Sequence, residues 1–171
     1  DILYCDPLES KKRKSTLTLL NITLNSLLKW FAPILVFTTE EIYQLLPKKN
    51  KSIHLEKFIN FPKKFENSEL NNRWKEILKI RDICNLSIEE KRANKVIGSS
   101  LEADLDIKLN SKLLELTKDI DFAELCITSK SIVKESNKDE VIVETRKANG
   151  TKCSICWKIK TEACERATCP I

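Results

Sequence analysis

A mainly α protein is what this sequence predicts: a helical bundle, then a small α+β region and a terminal cysteine-rich knob. Three observations carry that prediction. Apolar residues recur at steps of three and four through two long stretches before Gly98, a period-two alternation follows Gly98, and four of the seven cysteines fall at 153, 156, 164 and 169. The corresponding divisions are residues 1–97 for the bundle, 98–149 for the α+β region and 150–171 for the knob.

The first helix is expected from Ser15 to Phe31, where Leu17, Leu20, Leu24, Leu27, Leu28 and Phe31 line one face of a 3.6-residue period. Pro33 interrupts it. Thr38, with Glu41 three residues on, has the pattern of a capping box that opens a short helix through Leu46, and Pro47 stops that helix. Residues 48–64 read as a basic connection holding six lysines and the single acid Glu56. A long helix is expected from about Ser68 to Lys95, roughly 40 Å at 1.5 Å per residue, with Leu70, Trp74, Ile77, Ile80 or Leu78, Cys84 and Ile88 as its stripe and Gly98 beyond its end. Leu101, Ala103, Leu105, Ile107 and Leu109 then alternate with polar residues, the signature of a strand with one wet face. Residues 113–125 suit one or two short helices and 139–145 are β-prone. Trp30 and Trp74 fall on apolar helix faces and are expected in the core, and His54 is expected to pack or hydrogen-bond.

Composition excludes several function classes. With 171 residues, 42% hydrophobic and 32% charged, the chain has the balance of a folded protein. No apolar run reaches the ~18 residues of a membrane span, and no basic segment leads into an apolar one as in a signal peptide. The chain contains no Met, even at position 1, and is expected to be part of a longer polypeptide. Gly98 and Gly150 are its only glycines. Phosphate-cradling loops need several closely spaced glycines, so no P-loop, dinucleotide fingerprint or nucleophile elbow is present. A single histidine leaves no His-based metal centre. No catalytic residue is expected here.

The terminal cysteines have the spacing C-x2-C-x7-C-x4-C, formed by Cys153, Cys156, Cys164 and Cys169. Two pairs of thiolates can complete a tetrahedron about one Zn²⁺, and four such ligands leave no open position, so the site would be structural. An iron–sulfur cluster and disulfides are the competing chemistries. Cys5, Cys84 and Cys126, scattered through regular elements, read as reduced thiols and weigh against disulfides. The wide x4 gap makes Cys164 and Cys169 the looser pair.

Trp157 follows Cys156 directly and is flanked by Lys152, Lys158 and Lys160. It can pack over a metal site as the knob's large apolar residue, or present its π-face to a nucleic-acid base, a stack worth ~1–3 kcal/mol. Lysine and arginine runs lie at 11–14, at 48–64 and along the long helix, including Arg73 and Arg81. They are a solvated surface or a polyanion footprint; beside the knob and Trp157, the second reading points to RNA.

These residues carry a family resemblance. Trp30-Phe31-Ala32-Pro33-Ile34-Leu35 with Phe37-Thr38-Thr39-Glu40-Glu41 resembles the W-x-A-P-x-x-P-F-x-x-E-E helix junction in the anticodon-binding domain of class I aminoacyl-tRNA synthetases, with Val36 in place of the usual proline. Residues 1–6 (D-I-L-Y-C-D), residues 91–103 (K-R-A-N-K-V-I-G-S-S-L-E-A) and Cys153-Ser-Ile-Cys-Trp157 resemble segments of the bacterial isoleucyl branch. The resemblance implies a class I anticodon-binding bundle along the anticodon stem and a zinc knob at the anticodon loop. It implies Zn²⁺ on Cys153, Cys156, Cys164 and Cys169, and base stacking by Trp157. This chain departs from the family's second pair, normally C-x-x-C. The resemblance also implies a cytoplasmic, monomeric ATP-dependent ligase whose ATP and Mg²⁺ chemistry and editing lie upstream, with isoleucine tRNA as partner and neither DNA nor membrane. The matching region of a valyl or leucyl enzyme is one alternative. A free-standing zinc-containing RNA- or protein-binding adaptor, or a bundle serving protein interaction alone, is another.

Overall fold

A computed structural model of the chain describes residues 2–47 and 50–162, with the side chain of Cys5 outside the description. The chain forms two compact units, residues 1–66 and 67–171.

The first unit contains α1 (Ile2–Cys5), α2 (Lys11–Phe31) and α3 (Val36–Gln44), followed by 3-10 turns at Ile53–Leu55 and Lys63–Phe65. Helix α2 begins four residues before the expected Ser15. The Ser10 hydroxyl caps it by accepting from the Arg13 N–H at 3.3 Å. The basic run Lys11–Lys14 therefore forms its first turn, against the helix dipole, which is why charge pattern alone does not mark this start. Helix α3 also departs from expectation. It starts at Val36 after Leu35, which supplies no side-chain cap, so Thr38 is not the N-cap. Thr39 is buried and its hydroxyl donates to the Leu35 carbonyl at 2.8 Å.

Leu28, Ala32, Tyr43 and Ile53 make the small core of this unit. Only Leu28 of the expected α2 stripe is fully buried; Leu17, Leu20, Leu27 and Phe31 stay exposed, as does Trp30 at 53%. Half-buried carboxylates hold the loop after α3. Glu40 Oε2 accepts from the Ser52 hydroxyl at 2.8 Å and the Ile53 N–H at 3.0 Å. Glu56 Oε1 accepts from the Tyr43 hydroxyl at 2.9 Å and Asn50 at 2.8 Å, while Lys29 sits 3.3 Å from its other oxygen. These bonds, the Tyr43 bond foremost, hold the Glu56 carboxyl below its usual range. His54 is exposed, and its backbone N–H donates to the Ser52 hydroxyl.

The second unit opens with α4 (Ser68–Ala93), capped by the Asn67 side chain accepting from the Leu70 N–H at 2.9 Å. Strand β1 (Ala103–Leu109), helices α5 (Ser111–Leu116) and α6 (Phe122–Leu125), and strands β2 (Lys130–Glu135) and β3 (Ile142–Lys147) follow. β1 is the central strand of a three-stranded sheet, parallel to β2 and antiparallel to β3. Parallel strands need a crossover, and α5 and α6 provide it. The alternation in β1 sends Ala103, Leu105, Ile107 and Leu109 into the core, where Ile80, Cys84 and Ile88 of α4 meet them with Phe122 and Cys126. Periodicity alone groups α4 with the preceding helices; its buried face lies on the sheet. Ser87 and Thr145 join helix to strand through their hydroxyls at 2.7 Å. Trp74, expected in the core, is 37% exposed. Helices occupy about half of the chain beside this sheet, so the fold is less strongly α than its sequence implies.

Candidate nucleic-acid interface

Beyond β3 the chain forms a two-stranded hairpin, β4 (Thr151–Lys152) and β5 (Ile159–Lys160), with Lys152 paired to Ile159 and Thr151 to Lys160. Gly150 makes its base possible. Its φ is +134°, and a Cβ there would lie 2.2 Å from the Lys160 carbonyl oxygen. Only a residue without a side chain allows this approach.

The segment between the strands is a tight knuckle built on Cys153 and Cys156. The Cys153 N–H donates to the Lys158 carbonyl at 2.9 Å, and the Trp157 N–H donates to the Cys153 carbonyl at 3.0 Å. The Ile155 N–H lies 3.4 Å from Cys153 Sγ. Such a backbone donor fixes the position of the sulfur within the turn. Both cysteines are buried in this turn, as is Lys158. The described half of the predicted ligand set thus fits a thiolate-bound metal. Cys164 and Cys169 lie outside the described residues, within which no group of three or more His, Cys, Asp or Glu side chains could hold a metal ion.

Trp157 is displayed by the same knuckle. Its φ is +61°, the left-handed region that a residue with a Cβ enters at a cost of roughly 1–2 kcal/mol. Trp157 is nevertheless 59% exposed. Lys152 Nζ stands 5.4 Å from the ring centroid, a cation–π contact. Lys95 and Ile127 share this left-handed backbone; Trp157 adds to it a solvent-facing aromatic ring.

The other predicted residues separate. Lys152, Lys158 and Lys160 share the hairpin with Trp157, but Lys158 is buried. Arg73 lies on α4, where its Nε donates to the Leu116 carbonyl at 2.9 Å and its guanidinium pairs with Asp119, joining α4 to the turn after α5. Arg81, also on α4, is half-buried, and its charge acts on the Cys126 thiol. Spacing along a helix does not reveal which arginines are already occupied. Gly150 stood in the sequence as an isolated glycine before the cysteines, and that isolation was the available signal for the hairpin base. Ser129, which touches the hairpin from 30 residues away, carries no sequence signal.

The chain belongs to the family of anticodon-binding domains of tRNA ligases, which matches residues 1–109. Three relatives are isoleucine–tRNA ligases. It is 58% identical over 166 residues to the isoleucine–tRNA ligase of Pelagibacter ubique, an alignment covering 97% of this chain and 18% of the relative. It is 36% identical over 181 residues to that of Bartonella henselae, covering 99% and 19%. Against that of Bradyrhizobium diazoefficiens it is 39% identical over 171 residues, covering 93% and 17%. The chain thus spans less than a fifth of these relatives' lengths. Among the described residues no helix is long and apolar enough to cross a membrane.

Proposed function

We propose that this chain is the tRNA-recognition portion of an isoleucine–tRNA ligase, its bundle lying along the anticodon stem and its knob reading the anticodon loop. The single observation that supports base reading most is Trp157, exposed on the cysteine knuckle in a left-handed conformation with Lys152 against its ring. Unpaired anticodon bases are splayed enough to stack on such a ring. Lys152 and Lys160 would meet neighbouring phosphates, adding salt-dependent affinity that carries no sequence information. Arg73 and Arg81 remain candidate backbone contacts, with Arg73 having to exchange its internal partners first.

Zn²⁺ would be held by Cys153 and Cys156, with Cys164 and Cys169 completing the set. The metal would supply a rigid cross-link in a segment too small to bury a core. The knuckle residues do the rest: Cys153 fixes Trp157 through its carbonyl, and the turn fixes the direction of the ring. Attachment of isoleucine to the tRNA with ATP and Mg²⁺ belongs to parts of the protein outside this chain, in a monomeric cytoplasmic enzyme.

The 58% identity to an isoleucine–tRNA ligase supports that amino acid over valine or leucine. Charging assays on the intact protein test the proposal. Isoleucine should be attached, and Trp157→Ala should raise the KM for tRNA more than it lowers kcat. Charging with valine or leucine would transfer the reading to those enzymes, and no charging with any amino acid would favour a free-standing adaptor.

A further inference from the structure

One side chain beside the three-stranded sheet, Ser129, hydrogen-bonds the hairpin that carries Trp157. Ser129 lies just before β2, where its backbone N–H donates to the Ala103 carbonyl at 3.0 Å and so registers it against the start of β1. Its hydroxyl has two further partners. It donates to the Leu101 carbonyl at 2.5 Å and accepts from the Ile159 N–H at 2.6 Å. A hydroxyl has one proton and two lone pairs, so donating to one backbone while accepting from another is a use that alanine cannot reproduce. Ile159 opens β5, two residues after Trp157, and faces Lys152 across the hairpin. The Ser129 hydroxyl therefore connects the junction before β1 to the strand that leaves the knuckle.

We infer that Ser129 is a positioning residue: it fixes the orientation of the Cys153–Cys156 knuckle on the sheet and thereby aims Trp157. This rests on the proposed base-reading role of Trp157. A two-residue ladder at Thr151–Lys152 and Ile159–Lys160 is too short to set its own angle against a neighbouring sheet, and Gly150 at its base adds conformational freedom rather than stiffness. Ordering of the knuckle relative to the sheet then depends on contacts from outside the hairpin. Ser129 provides such a contact on the strand nearest the tryptophan.

The test compares the intact protein with its Ser129→Ala and Ser129→Thr variants, all with equal bound zinc. Amide exchange of the 150–160 segment should quicken about three- to tenfold in Ser129→Ala, the worth of a lost hydrogen bond, while β1 and β3 keep their protection. Preference for isoleucine tRNA over the same tRNA with a swapped anticodon should fall by a comparable factor. Ser129→Thr, which keeps the hydroxyl, should restore both. Unchanged exchange in Ser129→Ala overturns the tether whatever the tRNA result. Faster exchange with undiminished anticodon preference overturns the aiming role. If the wild-type protein shows no anticodon preference, the base-reading role of Trp157 fails and the aiming role falls with it, while the exchange data alone decide the tether.

Discussion

Replacing Trp157 by glycine and, separately, by alanine distinguishes presentation from packing. Both substitutions remove the ring and its contact with Lys152, so the difference between them isolates the backbone. At φ of +61° alanine retains the left-handed penalty of roughly 1–2 kcal/mol, which glycine escapes. Glycine gives back about 0.4–1 kcal/mol through the greater freedom of its unfolded chain. The glycine variant should therefore protect the hairpin better than the alanine variant by about 0.5–1 kcal/mol, or two- to fivefold in the opening equilibrium. Affinity for isoleucine tRNA should behave differently. Both variants lose the stack and should bind more weakly by a similar amount, about 1–3 kcal/mol. Amide exchange of residues 150–160 reads the first quantity and equilibrium binding reads the second. Equal protection in the two variants would refute the strain argument, and wild-type affinity in either would return Trp157 to a packing role.

Three further outcomes follow from the same geometry. Cys153→Ser should abolish zinc retention by elemental analysis while leaving the far-UV helical signal unchanged, since neither apolar core includes this residue; undiminished zinc would remove Cys153 from the ligand set. Gly150→Ala places a Cβ 2.2 Å from the Lys160 carbonyl and should open the hairpin base, visible as loss of amide protection there while the sheet remains intact; retained protection would contradict the close approach. Glu56, whose carboxyl is held below its ordinary value of 4.5, stabilises the loop after α3 fully above that value, and the contribution fades as pH falls through its lowered folded value. Glu56→Gln should accordingly be less stable than wild type at pH 7 in chemical denaturation, with the gap narrowing in acid; a gap independent of pH would refute the charged-state account.

How much of this was legible beforehand differs by element. The alternation from Ala103 to Leu109 predicts a strand and its buried face, and the structure buries those same residues because the pleat repeats every two residues. The α4 stripe was legible at Ile77, Ile80, Cys84 and Ile88, but an amphipathic stripe states that a face is covered, not by what. Strand β2, Lys-Ser-Ile-Val-Lys-Glu, has only two strongly apolar residues and earns its place by pairing with β1, a tertiary effect that single-segment patterns do not contain. The capping box at Thr38 failed because Leu35 begins the helix without a side-chain cap, and neighbouring Glu40 reaches Ser52 and Ile53 instead. In the candidate site, C-x-x-C-W was readable as a knuckle, but whether its tryptophan packs or is exposed was open, and Trp157 is 59% exposed. The engagement of Arg73 and the bond from Ser129 to Ile159 join residues distant in sequence, and no local motif encodes them.

The most direct test of the central proposal is equilibrium binding of the intact, zinc-loaded protein to isoleucine tRNA and to the same tRNA with a swapped anticodon, across a salt series. Base reading through Trp157 predicts a preference for the native anticodon that persists at physiological salt. Equal affinities that fall together as salt rises would contradict it, leaving only contact with the phosphate backbone.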